Sequence, residues 1–138
     1  MIDLTKYAEN VNDALAQGKP CIVASVAPDG MPDLGPKGSV LVLDQDHLAY
    51  WERTGGQHFT NVRSGSKVAV LYINFAAQAY LRFYGEAEMY DSGEVRDRVM
   101  AKVVQPELDR DPERKGSAVV IRIDKVIEGF GGETLTRE

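Results

Sequence analysis

Sulfur and imidazole are scarce in this chain. Its 138 residues hold one cysteine, Cys21, and two histidines, His47 and His58. A single thiol closes no internal disulfide, so a reducing, cytoplasmic setting is expected. So few Cys and His side chains also make a Cys/His metal site unexpected. No run approaches the roughly 18 apolar residues that a membrane-spanning helix needs. Residues 1–6 hold no long apolar stretch, so no signal peptide is expected. Basic residues are outnumbered, 16 Lys and Arg against 21 Asp and Glu, for a net charge of −5. That balance argues against a nucleic-acid partner and against an anionic membrane surface. It does not exclude one anionic ligand, because a local cluster can be positive on an acidic protein. There is no internal repeat and no linker, and 43% of the residues are apolar. One domain over residues 1–138 is expected.

Leu4, Tyr7, Ala8, Val11, Ala14 and Leu15 recur at helical spacing, with Asp3 as a cap before them and Gly18 after. Residues 20–27 form a β-rich apolar run, and Pro28-Asp29-Gly30 marks a hairpin turn. Residues 40–43 and 47–52 read as strands around the turn Asp44-Gln45-Asp46. Residues 53–66 are rich in Gly, Thr, Ser and Asn and read as a loop, then a short helix over 58–63. The strand over 67–75 is apolar on both faces, with Val68, Val70 and Tyr72 on one and Ala69, Leu71 and Ile73 on the other. Such a strand lies inside a barrel wall or under a partner. Residues 79–90 alternate as a half-exposed strand. Asp91 and Glu94 resemble a capping box before a helix bearing Val95, Val99, Met100, Val103 and Val104. Pro106 ends that helix, residues 107–115 read as a solvated charged connector, and a last strand spans 118–130 before a polar tail. Six or seven strands joined by short turns favour an antiparallel barrel with flanking helices over a βαβ sheet.

Two segments could carry chemistry. In Glu52-Arg53-Thr54-Gly55-Gly56-Gln57-His58-Phe59-Thr60-Asn61, paired glycines between a strand and a helix could turn backbone N–H groups toward a phosphate, with Arg53, Thr54, Gln57, His58 and Thr60 as further donors. The same glycines could serve backbone geometry alone. In Pro32-Asp33-Leu34-Gly35-Pro36-Lys37-Gly38-Ser39, prolines and glycines break a strand. A flat ligand could lie there against free backbone groups, or the segment could be a protected sheet edge. Trp51, Tyr72, Tyr80 and Tyr84 could stack on a ring or fill a core or an interface. Cys21 sits in an apolar run and reads as an inert buried thiol, and His47 as an exposed turn residue. No catalytic triad or paired carboxylates can be assembled, so catalytic residues stay unassigned.

The ordered set of these segments resembles the pyridoxamine 5′-phosphate oxidase-like superfamily of FMN-binding split barrels, and most of all its small flavin-reductase and general-stress relatives. The matching stretches are Cys21-Ile22-Val23-Ala24-Ser25, residues 32–39, residues 48–56, Asn61-Val62 and residues 67–71. The resemblance implies a mainly β, six- to seven-stranded antiparallel split barrel that forms a homodimer with FMN between its subunits. It implies that Pro36, Lys37, Gly38, Ser39 and Val40 run along the isoalloxazine. Trp51, Glu52, Arg53 and Thr54 would line the ribityl chain and phosphate, and Gly56, Gln57, His58 and Asn61 would hold the phosphate. The chain departs from the family at Gln57 and His58, where basic residues are usual, with Lys37 or Arg53 as substitutes. The residues that oxidation of pyridoxamine phosphate requires near the C-terminus have no match, so that activity is not expected. An FMN-dependent oxidoreductase fed by a nicotinamide donor, a non-enzymatic flavin carrier or sensor, a haem or deazaflavin binder on the same barrel, and a structural dimer without ligand all remain open at this point.

Overall fold

The computed structural model describes residues 1–130 and 132–137. A short 3-10 turn, Leu4–Tyr7, is capped by the Asp3 carboxylate and runs into α1, Ala8–Asn12. Then follow β1 (Cys21–Val26), β2 (Pro32–Lys37), β3 (Leu41–Val42), β4 (His47–Glu52), α2 (Gln57–Arg63) and β5 (Lys67–Asn74). The chain continues through β6 (Ala79–Tyr90), α3 (Glu94–Met100), α4 (Gln105–Asp109), β7 (Ser117–Glu128) and β8 (Thr134–Thr136). Seven strands lie in the order β2-β1-β5-β6-β7-β4-β3, with β8 added on β7, and every pairing is antiparallel. The sheet curls into the split barrel that the strand pattern and the resemblance implied, with β2 and β3 at its ends.

Registry shows why the sheet has one dry face. Gly35, Val23, Val70, Phe83 and Val126 stand opposite one another across five strands. The last four are at most 1% exposed, and the 3-10 turn, with Leu4 and Tyr7, and α1, with Val11, close over this side. On the other side run two rows: Leu34, Ala24, Ala69, Tyr84 and Lys125, then Pro36, Ile22, Leu71, Arg82 and Ile127. No described element covers Leu34, which is 70% exposed.

β4 is the strand buried on both sides. Leu48 and Tyr50 face the main core, while Ala49 and Trp51 face a second one made with Leu41, Leu43, Val99, Val103, Leu108 and Ala118. α3 and α4 supply that second layer, so the strand end that carries Trp51 is clamped between layers.

Three expectations are corrected. The α3 cap is Gly93, without a side-chain bond; Asp91 instead binds Arg63 and Ser117. Pro106 does not end a helix into a solvated connector. It opens α4, where a missing N–H costs nothing, and Glu107, Leu108 and Asp111 are buried. β7 is not the last strand either, since Thr134–Thr136 in the polar tail pairs with it.

Candidate functional site

A cavity of about 660 Å³ opens where β2 ends, β4 ends and α4 begins. One wall is Pro36, Lys37, Gly38, Trp51, Arg53 and Thr54. The facing wall is Leu15, Pro20, Val104, Pro106 and Glu107, with exposed Arg110 at the rim. Six residues expected from sequence therefore meet in one place. The facing wall was not read from sequence. Leu15, Val104 and Pro106 were read there only as helix positions and a helix end.

Trp51 is fixed from several sides. Its backbone N–H donates to Ser39 Oγ at 2.9 Å, and the Ser39 hydroxyl donates back to the Trp51 carbonyl at 3.2 Å. Its indole N–H donates to Asp111 Oδ2 at 2.8 Å. The Arg96 guanidinium lies 4.8 Å from the ring centre. Gly38 admits the close approach of the two walls, because a Cβ there would stand 2.7 Å from Glu107 Oε2.

Glu52 is 2% exposed. Its Oε1 accepts from Lys37 Nζ at 2.8 Å. Its Oε2 accepts the Thr54 N–H at 3.1 Å, the Thr54 hydroxyl at 2.9 Å and the Gly55 N–H at 3.2 Å. Gly55 takes φ +69° to make this turn, a conformation natural to glycine. Burial pushes the Glu52 pKa up, but the Lys37 ammonium, the Gly55 N–H and the Thr54 hydroxyl outweigh it and hold the carboxyl below its ordinary value. Arg53 is likewise paired, with Glu107 at 3.3 Å.

Gln57, His58 and Asn61 do not line the cavity: His58 and Asn61 turn into the fold, and Gln57 lies exposed at the start of α2. Gln57 Nε2 donates to Asn61 Oδ1 at 2.8 Å, and Asn61 Nδ2 donates to Ser25 Oγ at 3.0 Å. His58 Nδ1 pairs with Ser25 Oγ at 2.9 Å and its Nε2 with Tyr50 Oη at 2.5 Å. Burial, and then the Lys37 charge, lower the His58 pKa, so the ring is neutral at pH 7. Burial, and then Glu52, raise that of Tyr50. Gly56 caps α2 through its backbone, and Val40 lies in the main core. His47 opens β4 and pairs with Asp44 at 2.8 Å. Burial pushes the Cys21 thiol up to about 12, which keeps it inert. Among the described residues there is no cluster of three metal-ligating side chains.

The sequence model of the pyridoxamine 5′-phosphate oxidase family matches residues 7–127. The chain belongs to the pyridoxamine 5′-phosphate oxidase family. A candidate pyridoxamine 5′-phosphate oxidase of Lactobacillus delbrueckii is 30% identical, with a TM-score of 0.67 over 92% of this chain and 99% of that one. The fold is shared with an FMN-binding protein of Syntrophomonas wolfei, 14% identical, TM-score 0.70, covering 96% of this chain and 90% of that one. It is shared too with a haem binding protein of Mycobacterium smegmatis, 16% identical, TM-score 0.66, covering 94% of this chain and 57% of that one. No curated protein matches the sequence. One wall of the cavity, Pro36 to Gly38 with Trp51, Arg53 and Thr54, comes from the segments that carry the resemblance. No described helix is long and apolar enough to cross a membrane.

Proposed function

We propose that this protein is a flavin-binding oxidoreductase of the family, with FMN seated in the β2–β4 cavity at a homodimer interface. The cavity itself carries the reading. Its volume, about 660 Å³, suits a planar cofactor, and sites for such ligands are largely apolar with a few fixed polar groups. Leu15, Pro20, Pro36, Trp51, Val104 and Pro106 supply the apolar lining. Pro36–Gly38 offers backbone along the ring, and Trp51 offers an immobilised wall. A bound flavin supplies hydride or electron transfer, and the protein supplies orientation and exclusion of water. A reduced nicotinamide is the electron donor in this reading.

The fit is good at the ring end. At the phosphate end the Thr54 and Gly55 donors already go to Glu52. The outer rows of Leu34, Ala24 and Ala69 and of Pro36, Ile22 and Leu71 support dimerisation, because an apolar sheet face of this breadth calls for a cover. A haem reading is less favoured, since both nitrogens of His58 are engaged inside the fold.

The test is an absorbance titration with FMN followed by anaerobic addition of a reduced nicotinamide. Red-shifted flavin bands at one flavin per chain, bleached by the donor, are expected. Bound flavin that no donor reduces points to a carrier, and no spectral change overturns the reading.

A further inference from the structure

We propose that the Glu52 carboxylate is the resident anion of the Thr54–Gly55 loop, so that this loop adds no affinity for a flavin's phosphate and the cavity holds its ligand by ring and hydroxyls instead. The inference rests on the flavin-site reading for its ligand class but on Glu52 alone for its sign. A turn that presents two backbone N–H groups, a hydroxyl and an ammonium is a ready anion site. Here all four groups bond one side chain of this chain: Thr54 N–H, Thr54 hydroxyl and Gly55 N–H on Oε2, Lys37 Nζ on Oε1. Glu52 has 1% side-chain exposure and cannot swing into solvent without unpacking the end of β4. The Arg53 guanidinium, next in the chain, is paired to Glu107. A phosphate entering the loop would meet the Glu52 charge already seated on these donors. Like charges at such range repel. Lys37 is therefore a neutralised cation, not a phosphate hook. Glu52 acts as a specificity-determining residue, withholding the preference for a terminal phosphate that the loop's donors would otherwise give, so that a neutral, hydroxyl-bearing tail binds about as well.

The test uses the full chain and two probes. First, inorganic phosphate is titrated while the Thr54 and Gly55 amide resonances are followed. They stay unmoved in the wild type. Saturable shifts of both amides overturn the proposal, and this arm needs no flavin. Second, riboflavin and FMN are titrated into wild type and Glu52→Gln. In the wild type the two flavins bind within about threefold of each other. In Glu52→Gln, FMN tightens at least tenfold while riboflavin does not, as expected for one buried charge removed from beside an anion, about 1.4 kcal/mol. An FMN-to-riboflavin ratio that Glu52→Gln leaves unchanged overturns the proposal. If neither flavin binds, the flavin reading fails and the phosphate arm alone decides. If Glu52→Gln does not fold, the wild-type phosphate arm still decides.

Discussion

The indole N–H of Trp51 donates a 2.8 Å hydrogen bond to Asp111 Oδ2, across 60 residues of chain. The same carboxylate accepts the N–H groups of Lys115, at 2.9 Å, and Gly116, at 2.8 Å. Both oxygens are thus used to fasten the turn after α4 to the end of β4, and with it the facing wall of the cavity. Gly116 permits the contact, because a Cβ there would stand 2.5 Å from the indole nitrogen.

Asp111→Ala should leave those three N–H groups, of which the Trp51 and Gly116 bonds are buried, without an acceptor. Losing a buried partner costs about 1–3 kcal/mol per group left unmet. The unfolding midpoint in urea should fall accordingly, and the flavin affinity should fall with it. Equal stability of variant and wild type would show that the turn is held by other contacts.

Ser25→Ala should destabilise through α2. Ser25 Oγ is the acceptor for Asn61 Nδ2 and the partner of His58 Nδ1. Its loss strands a buried amide and one ring nitrogen, for a loss of about 1–3 kcal/mol. Chemical denaturation measures it, with Ser64→Ala, on the exposed end of the same helix, as the neutral reference.

His58 should set the pH dependence of stability between about pH 7.5 and pH 5.5. Its pKa is lowered in the fold, by burial first and by Lys37 next. An unfolded histidine titrates near about 6.5. As pH falls through that value, the unfolded chain takes up a proton that the folded chain refuses, so stability drops. Above it the contribution is complete. The depressed carboxylates Asp44, Glu52 and Asp111 follow the same sign but act lower, as pH falls through and below their unfolded values near about 4. His58→Gln should flatten the decline between pH 7.5 and 5.5 while lowering stability at pH 7.5. An unchanged slope would assign the decline elsewhere.

Leu34→Asp should yield monomers. Leu34 stands beside Ala24 on the outer face and is 70% exposed in the single chain. A charge there would be buried without a partner in a dimer. Sedimentation equilibrium should give twice the chain mass for the wild type and the chain mass for the variant. A monomeric wild type removes the dimer from the account.

Much of the frame was legible because it is written locally. Alternation in residues 79–90 became β6, the Pro28-Asp29-Gly30 turn joined β1 to β2, and the Pro-rich segment became an edge strand. Pro36, Lys37, Gly38, Trp51, Arg53 and Thr54, singled out in the sequence, line one wall of the cavity. What stayed hidden depends on distant partners. Asp111 looks like a solvent-facing acid until Trp51 arrives from β4. Glu107 looks the same until Gly38 and Arg53 close over it. His58 and Asn61 were expected at a phosphate, yet Ser25 and Tyr50 take their polar groups inward. Local patterning tells that a strand end meets a loop, but not which carboxylate takes the loop's donors.

The most direct test of the cavity reading uses the chain's single tryptophan, which is Trp51 itself. Flavin added to the protein should quench Trp51 emission saturably, at one flavin per chain, because a ring in the cavity lies against the indole. Emission that does not change while flavin is titrated to excess would contradict a flavin site between β2, β4 and α4.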